Sequence, residues 1–219
     1  MTDDGTIELA PDGYIARGNG SMVFRHPTDP GTLLKIPVAA RPERLRRRLS
    51  GVVRPSKRRF GGYREWFREY DEYIAAIRKA GALPGCLPAP RGFVQTTLGP
   101  AFAVEMIRDL TDGALALTVE AYLDAHDPHT LRPALDRFFE EVARLRIVFF
   151  DLRLYNLCVV RDGSGVPVRV VAIDSIGENT LLGVRKWSAL SHRLWLRHAR
   201  ADFMRRVDAR AARTRTGTA

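Results

Sequence analysis

The sequence predicts an α+β chain in two lobes. A small β-rich N-terminal lobe spans residues 1–108, a mostly helical C-terminal lobe spans 109–205, and a basic, disordered tail covers 206–219. Three observations carry this. Short apolar runs separated by Gly and Pro fill the region before residue 38. One amphipathic helical pattern follows over residues 63–80. Past residue 110 helical patterns dominate, interrupted by a single β-hairpin. At 219 residues and 45% apolar content the chain is long enough to bury a full core.

The elements follow in order. Strands are expected near 7–10, 13–17, 21–25 and 32–37. The helix over 63–80 carries Trp66, Tyr70, Tyr73, Ile74 and Ile77 on one stripe; Glu69 lies nearest that stripe, with Glu65 and Glu72 further round toward solvent. A Pro/Gly linker over 81–90 leads to strands near 91–96 and 101–107. Helices near 118–125 and 131–146 come next, the second with Leu131, Leu135, Phe138, Val142 and Leu145 on one face. Runs over 157–160 and 166–173 flank Arg161-Asp162-Gly163-Ser164-Gly165 and read as a hairpin. One or two helices over 187–203 close the fold.

The chemistry concentrates at residues 148–177. Val148-Phe149-Phe150 runs into Asp151-Leu152-Arg153-Leu154-Tyr155-Asn156, and the second hairpin strand ends in Asp174-Ser175-Ile176-Gly177. A hairpin returns the chain to its start, so Asn156 and Asp174 can face one metal ion. A carboxylate to orient a hydroxyl, a nearby cation, and an amide plus carboxylate for magnesium are what phosphoryl transfer needs. The Asp151–Asn156 run resembles the catalytic loop of the kinase-like fold, and Asp174–Gly177 resembles its metal-binding turn. An Asp with an Asn five later is common by chance; the signal lies in the order of elements around them.

That resemblance implies three features upstream, and each has a candidate. Gly18, Gly20 and Ser21 form a turn whose backbone can approach phosphate closely, although Ala16 and Ser21 stand at outer Gly positions of the full pattern. Lys35 interrupts the apolar run Thr32–Pro37; it either snorkels from an edge strand or meets phosphate. Glu69 is the expected partner of Lys35, with Glu65 second. Glu105 and Ile107, flanking Met106, are expected to meet adenine through backbone groups.

Most of the chain, from the Gly18 region to about residue 200, resembles the YrbL family of kinase-like proteins linked to the PhoP regulatory network. The residues that carry this are Asp174–Leu182 with Lys186-Trp187-Ser188, the Phe24-Arg25-His26-Pro27 turn, and Arg68-Glu69-Tyr70. The resemblance implies a minimal two-lobe kinase-like fold and leaves the biochemical role open. Only 45 residues follow Asp174 (219 − 174). That favours a small-molecule or lipopolysaccharide-kinase type, or a binding protein that kept the fold.

Composition narrows the setting. No apolar window is long enough to span a membrane, and the acidic N-terminus lacks the apolar core of a signal peptide, which points to the cytoplasm. Cys86 and Cys158 read as reduced, structural thiols. His126 and His129 read as a solvated loop rather than a metal site. The formal charge is +10, concentrated in an insertion over 41–59 and in the C-terminal stretch from Arg193. Such segments suit an anionic substrate or protein partner, less readily nucleic acid. The expected function is ATP- and magnesium-dependent phosphoryl transfer to a hydroxyl of a small or anionic acceptor. Asp151 and Arg153 act as catalytic residues, and Asn156 and Asp174 as metal ligands. The alternative is a non-catalytic nucleotide-binding regulator acting through its basic surface.

Overall fold

A computed structural model describes residues 5–18, 20–38, 61–178 and 188–216. The 41–59 insertion, Asn19, and Asn179–Trp187 of the family-like segment lie outside the described residues. The chain is α+β and divides into two compact units. One comprises Met1–Arg68 with Ala89–Met106, the other Glu69–Pro88 with Ile107–Ala219.

The first unit is built on a five-stranded antiparallel sheet in the order β1-β2-β3-β5-β4. Its strands are β1 (Ala16–Arg17), β2 (Ser21–Arg25), β3 (Thr32–Pro37), β4 (Pro90–Thr96) and β5 (Gly99–Glu105). The strand expected over 7–10 is reduced to an isolated bridge, Ile7 to Thr96, and that over 13–17 to its last two residues. Strand alternation sorts the two faces. Leu34 and Ile36 join Ile7, Phe24, Ala101 and Ala103 in a core on one side. Lys35 falls on the other, opposite Val23 and Phe102 in the register. There Phe102, Phe93 and Trp66 form an aromatic layer with ring centroids 5.5–6.2 Å apart. The turn before β3 is fixed by side chains: His26 Nδ1 accepts from the Asp29 N–H at 3.0 Å, and Asp29 accepts from Gly31 N–H and the Thr32 hydroxyl. The Thr32 hydroxyl bond, helped by the Gly31 N–H, holds the Asp29 carboxyl below its ordinary value.

Helix α1 (Arg64–Ala80) begins in the first unit and continues into the second. Its phasing differs from the sequence expectation. Trp66, Glu69, Glu72, Tyr73 and Ala76 are the buried positions, while Ile74 is 63% and Ile77 36% exposed. The buried stripe therefore lies about one residue-step round the helix, and Glu72, expected toward solvent, is 2% exposed. A specific bond explains it: Glu72 Oε1 accepts from the Val148 N–H at 2.9 Å. A buried carboxylate is tolerated when it satisfies a buried backbone donor.

In the second unit, a three-stranded antiparallel sheet β6-β7-β8 (Leu117–Thr118, Leu157–Arg161, Pro167–Ala172) packs with helices α2 (Val119–Ala125), α3 (Pro128–Leu145) and α4 (Ala189–Thr216). Residues 69–88, expected with the N-terminal lobe, belong here. Glu141 on α3 accepts from the Gly85 and Cys86 N–H groups at 3.2 and 2.9 Å, and Ala172 N–H donates to the Cys86 carbonyl. Cys86 and Cys158 are buried, free thiols. Burial, with Glu141 adding to it, pushes the Cys86 thiol up, and burial pushes Cys158 up to about 12. Helix α3 starts three residues earlier than expected because Asp127 caps it, accepting from the His129 N–H at 3.0 Å, with Pro128 in the first turn.

Helix α4 overturns the expectation of a disordered tail from residue 206, because it runs to Thr216. Leu196, Phe203, Val207 and Ala211 recur on one buried face, and Phe203 meets Phe139 of α3 edge-on at 5.8 Å. The arginines that look like a solvated tail have partners. Arg210 bonds Asp124 and Glu120 of α2, Arg132 bonds Asp208, and Arg200 bonds Asp136. Tertiary packing, not local propensity, carries the helix. Among the described residues no helix is long and apolar enough to cross a membrane.

Candidate functional site

The second unit brings the sequence-predicted catalytic and metal residues together. Helix α3 ends on Arg146 in the left-handed region (φ 50°), which turns the chain into Ile147–Asp151. That segment lies antiparallel to residues 174–177. Phe150 N–H donates to the Ser175 carbonyl at 3.0 Å, and Gly177 N–H donates to the Val148 carbonyl at 2.7 Å. Phe149 and Ile176 form the bridge between these bonds. The Val148–Asp151 run thus forms an isolated bridge rather than a strand, and its partner is the segment that carries Asp174.

The next link is Asn156. A 3₁₀ turn over Leu154–Asn156 buries its side chain, which is 5% exposed. Its Nδ2 donates to the Asp151 carbonyl and to Ser175 Oγ, both at 3.0 Å, while its own carbonyl accepts from the Ile173 N–H. One buried amide therefore ties the Asp151 loop to the Asp174 turn. With Nδ2 so engaged, Oδ1 is the side-chain atom suited to a metal ion. Asp174 is exposed, and its Oδ1 accepts from the Ser175 N–H at 2.7 Å. Ser175 holds a left-handed φ of 63°, which is costly for a residue with a Cβ. Its buried hydroxyl was not among the residues singled out from the sequence. The signal was its place inside the Asp174–Gly177 turn.

Asp151 and Arg153 are both partly exposed and form an ion pair, Arg153 Nε to Asp151 Oδ1 at 2.7 Å. That bond to Asp151 raises the Arg153 guanidinium above its ordinary value.

At the far end of β7, Asp109 is 2% exposed and bonds Arg161 Nε at 2.6 Å and the Thr111 N–H at 3.0 Å. Burial works to raise the Asp109 carboxyl, but the Thr111 and Arg161 hydrogen bonds outweigh it and hold it below its ordinary value. Arg161 Nη1 also reaches His126 Nε2 at 3.2 Å. Arg only donates, so His126 Nε2 accepts and the proton sits on Nδ1, which donates to the Tyr122 carbonyl. His126 is therefore part of a bonded network rather than a solvated loop. Among the described residues no group of three His, Cys, Asp or Glu could hold a metal. Two oxygen donors, from Asn156 and Asp174, fit magnesium, which keeps waters and substrate phosphates as its other ligands.

In the first unit, Lys35 is 7% exposed in β3, which is a central strand. Snorkelling from an edge is therefore not its explanation. Its Nζ lies 5.9 Å from the Phe102 ring centroid. Gly18 N–H donates to the Ser21 carbonyl at 2.9 Å, closing the turn. Neither Gly18 nor Gly20 adopts a positive φ; a Cβ on Gly20 would lie 2.7 Å from Glu65 Oε2. Glycine at 20 therefore answers to space rather than to backbone conformation. Glu105 ends β5 and its Oε2 accepts from the Ala89 N–H at 2.9 Å. In the second unit Glu69 is 5% exposed and accepts from the Tyr73 hydroxyl at 3.4 Å. There too the Ile107 carbonyl accepts from the Ala116 N–H at 2.9 Å.

No curated protein matches the chain. The family model of the PhoP regulatory network protein YrbL matches residues 7–208, which takes in both units and every candidate residue, so the chain belongs to the YrbL family.

Proposed function

We propose that the chain binds ATP with magnesium and transfers a phosphoryl group to a hydroxyl of a small anionic acceptor. The observation that carries this reading is the Asn156 amide, bonded at once to the Asp151 carbonyl and Ser175 Oγ. It holds an Asp-bearing loop against an Asp-bearing turn within one unit. In this reading Asp151 orients the acceptor hydroxyl and takes its proton as the new O–P bond forms and the bond to the leaving ADP oxygen breaks. Arg153 neutralises charge on the transferred group. Asn156 and Asp174 would hold magnesium, whose role is to neutralise phosphate charge. Gly18, Gly20 and Ser21 cover the phosphates, Lys35 orients them with Glu69 as its assigned counter-charge, and backbone groups of Glu105 and Ile107 receive adenine.

Magnesium dependence tests the assignment. ATP at about 100 times its Kd should stabilise the protein by roughly 2.7 kcal/mol. The shift in melting temperature should grow when magnesium is added, and Asp174→Ala should remove that increment. An ATP shift indifferent to magnesium would defeat the metal assignment.

One observation favours a second reading. Asp151 Oδ1 already accepts from Arg153 at 2.7 Å, so that oxygen is occupied rather than turned to an acceptor hydroxyl. A non-catalytic nucleotide-binding regulator would show the ATP shift with no turnover in any variant.

A further inference from the structure

Next to Arg153 the second unit opens into a cavity of about 480 Å³ whose charged lining is Arg153, Arg205, Arg206, Arg210, Arg213 and Glu120. Helix α4 supplies four of these arginines, spaced so that one face points at the 3₁₀ turn that carries Arg153. We propose that this cavity binds the phosphate group of a phosphorylated small-molecule acceptor and sets its free hydroxyl toward Asp151. The proposal rests on the phosphotransferase reading for its hydroxyl and on the cavity alone for its anion.

Three observations support it. The acids that neighbour these arginines hold them in place without using up their donors. Arg205 and Arg206 share one carboxylate, Asp202, at 3.0 and 2.6 Å, and Arg210 is clamped by both oxygens of Asp124 at 2.6 and 2.7 Å. Arg210 also bonds Glu120 at 3.2 Å; each guanidinium carries five N–H donors in a planar fork, so one to three bonds still leave others for a phosphate. Size is the second. A cavity of this volume suits a small molecule rather than a folded partner or a nucleic acid duplex. Arg153 is the third, because it lines the cavity and also bonds Asp151 at 2.7 Å. A phosphate drawn onto Arg153 would compete for that guanidinium, and the Asp151 carboxylate would then be released toward the acceptor hydroxyl. Substrate itself would thus free the Asp151 oxygen that Arg153 occupies.

Inorganic phosphate, titrated calorimetrically into the full chain held with saturating magnesium-ATP, tests the site. The double variant Arg206→Gln/Arg213→Gln is compared with wild type. Among the described residues Arg206 pairs with partly exposed Asp202, so its loss is tolerated by the fold, and an unchanged melting temperature confirms it. Each substitution should weaken phosphate binding about tenfold, the scale of one lost charge-assisted bond, while magnesium-ATP affinity stays the same. Equal phosphate affinity in wild type and double variant, or no phosphate binding to wild type, would overturn the site and leave the ATP reading standing. Arginine-dependent phosphate binding in a protein that never binds ATP would uphold the anion site and remove the phosphotransferase reading. Glucose 6-phosphate set against phosphatidate vesicles then separates a soluble phosphate ester from a lipid headgroup: the small volume of the cavity predicts competition by the sugar phosphate, and competition by vesicles alone would overturn the small-molecule assignment.

Discussion

The two groups of candidate residues are held in different ways. In the second unit, Asp151, Asn156 and Asp174 are tied by short hydrogen bonds through one buried amide and a paired backbone. In the first, Gly18 and Gly20 lie in the turn that leads into β2 at Ser21, closed by the Gly18 N–H to Ser21 carbonyl bond, and Lys35 is buried near the Phe102 ring in a central strand. The difference teaches where function can be read from structure alone. A site whose residues come from one hairpin and one loop is fixed by backbone pairing. The 18–21 turn is held by a single backbone bond of its own, and a role in covering phosphate would have to be tested with the ligand.

The largest stability effect should come from the frame at the far end of β7. Asp109→Ala leaves the partly buried Arg161 with only its His126 bond and the Thr111 N–H without its acceptor, and should cost about 3 kcal/mol in denaturant unfolding. A loss under 1 kcal/mol would show that the catalytic region does not depend on this pair. The same pair sets a pH window. Asp109 has a folded pKa below its unfolded one, so its contribution is fully present above about pH 4 and is lost as pH falls through the folded value. Asp109→Asn should flatten stability over that acid range.

A middle-sized effect tests the link itself. Ser175→Ala removes the hydroxyl that satisfies Asn156 Nδ2 and keeps a Cβ at φ 63°. It should cost about 1–3 kcal/mol, and Ser175→Gly should cost less because glycine relieves the backbone. The reverse order would mean that the hydroxyl bond does not hold the turn. The smallest effect belongs to the first unit. Gly20→Ala meets only the flexible end of Glu65 and should change stability by no more than about 0.5 kcal/mol, while weakening ATP if the turn covers phosphate. A stability loss without an ATP effect would reduce the turn to a structural feature.

Legibility in the sequence followed the same division. The order helix, Asp151 loop, hairpin, Asp174 turn was readable because each step has a local signature: apolar runs, an Asp-Gly-Ser-Gly turn, and returning strands. Asp162 confirms the turn chemistry, its Oδ1 accepting from the Ser164 and Val166 N–H groups. What could not be read depended on distant partners. Glu72 is buried because Val148, far along the chain, needs an acceptor. Residues past 206 are helical because Val207 and Ala211 find a core and Arg210 finds Asp124 and Glu120. Composition alone makes that stretch look like a solvated tail. The loop at 84–88 joins the second unit through Glu141, a partner no local pattern announces.

Asp151→Ala separates binding from chemistry. ATP affinity should stay close to wild type, because this carboxylate acts on the acceptor, while magnesium-dependent phosphoryl transfer should fall by about 10²-fold or more. Wild type that binds magnesium-ATP but transfers no phosphate to phosphorylated acceptors, with Asp151→Ala indistinguishable from it, would contradict the account and leave a nucleotide-binding regulator.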